Sequence, residues 1–320
     1  MVKNPSIDLL RGLLILLVMA GHAMELAHQN HVMLWIGGGF RMPMMFGLSG
    51  FLLNIDRTRN EGAASLFGRY ANRMLLPWAV AVCVYILASG WSLSLSTPLE
   101  LLLRPPFHLW YVPVLFFLIV MTRLVPFSPL ALLAIGAPIS LATMYSFGLD
   151  HGPMGFSLLS PDNRYLRYPV YFFFGMLVAE RGLPTRYLAV ALLAGALGLF
   201  WWVGLYGTGN ALAFVPARLL MCLSLIALLP HLSARHLFFA PLGTIGHHSL
   251  LFYLWHPLVM GMLLIAGMDG LALLLLSIVI LAFVALFVTR YPLARQLIGG
   301  APPCRARPAA VKPPPVAAAA

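Results

Sequence analysis

Residues 7–31, IDLLRGLLILLVMAGHAMELAHQNH, decide how the chain is read. The run is apolar and long enough for a membrane-spanning helix, at about 1.5 Å per residue against a hydrocarbon core of about 30 Å. Two of its residues, Arg11 and His22, do not belong in lipid. At about 100° per residue their spacing amounts to about three turns plus 20°, so both project from nearly the same face, with Ile15 and Val18 on that stripe. Along the axis they lie about 16 Å apart, half the depth of the core, so one is near a surface and the other well inside. Ionisable residues at such depth are costly and mark pathways or sites. Arg11 also has a bland role open to it, pairing with Asp8 one turn back or snorkelling to headgroups. His22 reaches a surface less easily, which leaves a satisfied structural histidine as the alternative to a functional one.

Outward from this stretch, composition sets the class. The chain has 320 residues, 61% hydrophobic and only 9% charged, which exceeds the apolar content of a soluble domain and predicts an all-α polytopic membrane protein. A net charge of +11 would suit nucleic acid, but the Lys and Arg residues fall between apolar runs rather than in one patch, so no nucleic-acid partner is expected. Cys83 and Cys222 lie in apolar runs and Cys304 near the C-terminus, with no CxxC and no Cys/His spacing for zinc; neither a disulfide framework nor a metal is expected. No clean A-x-A site follows the first run, which reads as a retained span.

Apolar runs long enough to span fall at about 8–28, 36–55, 75–95, 107–124, 129–148, 165–180, 187–206, 212–230, 246–267 and 270–290, which predicts about ten transmembrane helices. With the N-terminus cytoplasmic, fifteen of the 20 basic residues fall on the cytoplasmic side; the other five are Arg41, Arg104, Arg164, Arg167 and Arg218. The positive-inside rule therefore places both termini in the cytoplasm, and an even span count agrees. Residues 1–295 form the membrane domain, and 296–320, rich in Pro and Ala, read as a disordered cytoplasmic tail.

Residues 56–74, DRTRNEGAASLFGRYANRM, form the main polar connection on the cytoplasmic side. Their basic character follows from topology alone, yet Arg69 and Arg73, at i and i+4, also make one face able to hold a phosphorylated ligand. Prolines 43, 77, 113, 169, 216 and 257 break several runs, which is tolerated where freed carbonyls meet protein or a cavity. Beside them sit Arg41, His108, Trp110, Arg218 and His256. Trp110 and Tyr111 would suit an interfacial aromatic belt, Ser49 would bond its own helix backbone, and His256 lies about ten residues into its run.

These segments, in this order, resemble the membrane-bound acyltransferase family 3, especially its fucose 4-O-acetylase-like sugar O-acetyltransferases. The resemblance rests on Arg11 and His22, MPMMFGLSGFLL at 42–53, RYANRMLLPW at 69–78, HLWYVPVLF at 108–116 and YLWHPLV at 253–259, and covers nearly all of residues 5–290. It implies ten core helices, a cytoplasmic acyl-CoA (acetyl-CoA) as donor, and an acceptor hydroxyl on the far side, on a surface glycan or its lipid-linked sugar precursor. The implied setting is a bacterial inner (plasma) membrane, with membrane lipid around the chain and polysaccharide modification as the outcome.

On that reading His22 is the general base, oriented by Glu25 at i+3, although a solvated helix-end carboxylate is the bland account of Glu25. An alternative is that His22 carries the acetyl group covalently. Arg69 and Arg73, together with Arg11, hold the coenzyme A phosphates, while Arg41, His108, Trp110, Arg218 and His256 are assigned to the substrate. A transporter or export subunit, or an acetyl relay serving a separate transferase, are the competing classes.

Overall fold

The computed structural model describes residues 4–28, 31–92, 94–157, 160–288 and 290–301. Its elements run α1 (Pro5–Leu26), α2 (Val32–Phe51), α3 (Ile55–Asn60), α4 (Ala63–Tyr70), α5 (Leu76–Ser89) and α6 (Thr97–Leu103). They continue with α7 (Tyr111–Leu124), α8 (Pro129–Phe147), α9 (Arg164–Arg167), α10 (Pro169–Arg181), α11 (Leu188–Gly204) and α12 (Ala211–Ala227). Last come α13 (Leu229–Ala234), α14 (Ala240–His247), α15 (Ser249–Ile265), α16 (Gly270–Val288) and α17 (Pro292–Ile298). A π-helical turn, Ala71–Leu75, joins α4 to α5. Among the described residues the chain is all-α and forms no strand. In lipid this is expected, because a helix satisfies its own backbone where no water can.

Each of the ten apolar runs contains a helix, but six helical segments are both long and apolar enough to cross a membrane. They are Pro5–Leu26, Ala63–Ser89, Pro129–Phe147, Thr185–Gly204, Leu212–Ala234 and Gly270–Val288. A seventh arises if Ala240–His247 and Ser249–Ile265, bent by 86° to each other, count as one span. The remaining runs form shorter or more polar helices: α7 stops at Leu124, α10 is interrupted at Tyr168, and α2 carries Arg41, Pro43 and several glycines. From residue 302 onward the Pro/Ala-rich tail lies outside the described residues.

Local signals explain the start of α1. The Asn4 side chain accepts from the Ser6 amide, Pro5 fills the first turn, and Asp8 faces the positive end of the dipole. One face of α1 then buries Leu14, Ile15, Val18 and Met19 against α2, α14 and α15. Helix α2 is the central strut, packed on α1, α10 and α12. Its contact with α10 is backbone-close: a Cβ on Gly50 would lie 2.0 Å from the Phe172 carbonyl, and one on Gly175 2.0 Å from the Gly47 carbonyl. By contrast α11 and α16 turn Leu193, Phe200, Leu271 and Phe283 outward, an apolar surface suited to lipid.

Candidate active site

Three histidines far apart in sequence meet at the C-terminal half of α1. His22 lies 5.2 Å from His256 of α15 and 6.1 Å from His108, which precedes α7, and the two latter rings are 5.3 Å apart. His108 and His256 are buried, whereas His22 is partly accessible. The His22 Nδ1 is 2.8 Å from Glu25 Oε2. A carboxylate only accepts, so Nδ1 carries the proton and Nε2 is the nitrogen left for chemistry. Glu25 Oε1 lies 3.8 Å from the Arg41 guanidinium, which also donates to the Leu17 carbonyl at 3.0 Å. Arg41 is thereby tied to α1 and braces Glu25. Gly21 makes this possible, since a Cβ there would sit 1.5 Å from Arg41 Nη1.

The other two rings are set around Pro257, inside α15. Pro257 has no N–H, so the Tyr253 carbonyl loses its helical partner and instead receives His256 Nδ1 at 3.1 Å, with the Phe252 carbonyl at 2.9 Å. His256 Nε2 is consequently an acceptor, and it is buried with no partner. The Tyr85 hydroxyl of α5 inserts into the next rung, accepting from the Leu258 amide at 2.8 Å and donating to the Leu254 carbonyl at 3.1 Å. That same carbonyl takes His108 Nε2 at 3.3 Å. The Tyr253 hydroxyl donates to the His108 carbonyl and accepts from the Tyr111 amide at 3.2 Å. Sequence reasoning missed Tyr85 and Tyr253; the one available signal was the His-Pro dipeptide, which announces a freed carbonyl beside an imidazole.

Arg11 stands apart, toward the N-terminal end of α1. It lies 3.9 Å from Asp8 and interacts electrostatically with Tyr111 and Arg73. Tyr111 in turn bonds Ser49 at 2.8 Å, and Ser49 also donates to the Met45 carbonyl of its own helix at 2.8 Å. Arg69 pairs with Glu61 at 2.6 Å and stacks over Tyr70, while Arg73 sits in the π-helical turn. The α-helical i,i+4 spacing assumed for Arg69 and Arg73 is therefore altered by an inserted π turn, a distortion common at functional sites. The Ser65 hydroxyl, with Arg69 and Arg57 beside it, holds the Glu61 carboxyl below the usual carboxylate range.

The remaining candidates separate. Trp110 is buried, stacked on Tyr168 at 5.2 Å with the Arg164 guanidinium over its ring at 4.9 Å, rather than lying in an exposed aromatic belt. Arg218 is buried on α12 and donates Nε to the Gly39 carbonyl at 2.8 Å. Among the described residues no group of three or more His, Cys, Asp or Glu is arranged to hold a metal ion.

The arrangement thus offers a partly accessible imidazole with an oriented tautomer, flanked by two buried imidazoles, and a basic patch at the other end of the same helix. A search of curated proteins and of solved structures returned no significant match. The profile of the acyltransferase-3 family, described as an acyltransferase domain, matches residues 4–291, nearly all of the described chain, and the protein belongs to that family of membrane acyltransferases.

Proposed function

We propose that the protein is an O-acyltransferase that moves an acetyl group from acyl-CoA on the side of Arg69 and Arg73 to a hydroxyl of a glycan, or of its lipid-linked precursor, on the opposite side of a bacterial inner membrane. The observation that carries this reading is the His22–Glu25 pair set against His108 and His256. His22 Nε2 takes the proton of the acceptor hydroxyl as its oxygen attacks the thioester carbonyl. The carbon–sulfur bond breaks, and the proton on His22 passes to the departing thiolate. Glu25 stabilises the imidazolium in between, as an orienting carboxylate does in other acyl transfers. The unpartnered Nε2 of His256 is a ready acceptor for a substrate O–H. Arg73, Arg11 and Arg69 form the donor end, where guanidinium forks suit the coenzyme A phosphates. The axial offset of about 16 Å between Arg11 and His22 suits an extended pantetheine arm.

The test is transfer of label from [14C]acetyl-CoA to non-protein acceptor in inverted membrane vesicles. His22→Ala should lower turnover by about 10²–10⁴-fold, the usual worth of a general base, with membrane insertion unchanged. Glu25→Gln should lower turnover with the donor KM unchanged. Wild-type transfer by a correctly inserted His22→Ala protein would end this reading.

A further inference from the structure

The N–H groups of the three clustered histidines are all committed to the protein. His22 Nδ1 donates to Glu25 at 2.8 Å, and His256 Nδ1 to the Phe252 and Tyr253 carbonyls at 2.9 and 3.1 Å. His108 Nε2 donates to the Leu254 carbonyl at 3.3 Å. A neutral imidazole has one donor and one acceptor nitrogen, so each ring has only a lone pair left to offer, on Nε2 of His22, Nε2 of His256 and Nδ1 of His108. Rings 5.2, 5.3 and 6.1 Å apart thus present acceptors and no donor to one another. The group that fits them brings protons of its own.

Direction follows from the same bonds. His22 and His256 each give their proton to their own helix, which turns the Nε2 edge of each ring away from that helix, and α1 packs against α15 where the two rings meet. His256 Nε2 is buried without a partner, an acceptor that is costly to leave so. His22 is the partly accessible ring, the one that a ligand reaches first. A protonated amine would also bring protons, but Glu25 already serves His22 and Arg41, so an ammonium meets a guanidinium rather than a free carboxylate. A hydroxyl is neutral and has one proton, so a single hydroxyl fills one nitrogen and leaves the other open. With hydrogen bonds of about 2.8 Å to nitrogens on two such close rings, the two oxygens must be close neighbours, as on adjacent carbons.

We propose that the acceptor is recognised as a vicinal diol: the hydroxyl on His22 Nε2 is acylated, while its neighbour donates to His256 Nε2 and fixes which oxygen is presented. No bond is made or broken at His256; the neighbouring hydroxyl keeps its proton and leaves with the product. The inference rests on the acyl-transfer reading and adds to it the substrate class and the residue that selects the position. A site built to accept from a hydroxyl rejects the analogue lacking it, because the buried nitrogen is then left unpaired.

The experiment measures kcat/KM of the detergent-purified full chain for transfer from [14C]acetyl-CoA to cis- and trans-1,2-cyclohexanediol, 1,4-cyclohexanediol and cyclohexanol, beside the membrane acceptor of the vesicle assay. At least one 1,2-diol should exceed both the 1,4-diol and cyclohexanol by about 10–100-fold, the worth of one buried hydrogen bond. His256→Phe, which fills the space without an acceptor, should abolish that preference. His256→Gln, whose amide oxygen still accepts, should restore part of it. Equal kcat/KM for the 1,2-diols and cyclohexanol would overturn the inference, as would a full preference in His256→Phe, or label in the membrane acceptor and in none of the alcohols. If His256→Phe fails to fold, the wild-type ratios and His256→Gln decide. Failure of the acyl-transfer reading looks different: His22→Ala then labels the membrane acceptor at the wild-type rate, whereas failure of this inference changes only the ratios among alcohols whose labelling still needs His22.

Discussion

Single residues in this protein are set by what lies across from them rather than by their own helix. Arg69 is an instance: its charge is engaged by Glu61 at 2.6 Å, so a donor phosphate would have to displace a carboxylate. Glu61→Gln should therefore lower the donor KM by about two- to fivefold at neutral pH, the worth of an accessible ion pair. The pH dependence has a definite sign. Because Glu61 is held below the usual carboxylate range, its pairing with Arg69 is present at neutral pH and is lost as pH falls through that lowered value. Wild type and Glu61→Gln should then converge in acid, and steady-state kinetics of both proteins across that range would check it.

Between elements, the decisive contacts are backbone against side chain. Helix α1 meets α2 where Gly21 leaves room for Arg41, and α15 runs through Pro257 because the His256 ring takes the freed Tyr253 carbonyl and the Tyr85 hydroxyl occupies the next rung. Gly21→Ala would place a Cβ 1.5 Å from Arg41 Nη1, and the guanidinium would have to leave Glu25. We expect a stability loss of about 1–3 kcal/mol, typical of overpacking, together with a fall in turnover resembling that of Glu25→Gln. Thermal unfolding and vesicle assays would read both, and a loss of stability with full turnover would separate Arg41 from the chemistry.

The whole molecule sets Arg11, with Arg73 and Arg69, toward the N-terminal end of α1, and Arg41, tied to the Leu17 carbonyl and to Glu25, beside His22. The positive-inside rule predicts that reporter fusions after residues 62 and 301 report the cytoplasm and that one in the loop at residue 152 reports the opposite side. A cytoplasmic signal at 152 would reverse the assignment of donor and acceptor ends. The exposed apolar faces of α11 and α16 fit a lipid boundary in either orientation.

Much of this was legible in the chain itself. Apolar run length determined the all-α class, because a helix is the economical way to satisfy a backbone in lipid, and the spacing of Arg11 and His22 put both on one face of α1. Glu25, one turn from His22, was readable as its partner for the same local reason. The number of full spans was not, since α2, α7 and α10 depend on glycines, prolines and breaks whose effect on length is set by neighbours. Nor were the contacts of His108 and His256 with His22. Those residues lie far apart in sequence and on different elements, and periodicity carries no information about which faces meet. Only the packing of α1 and α15 with the segment that precedes α7 brings the three imidazoles together.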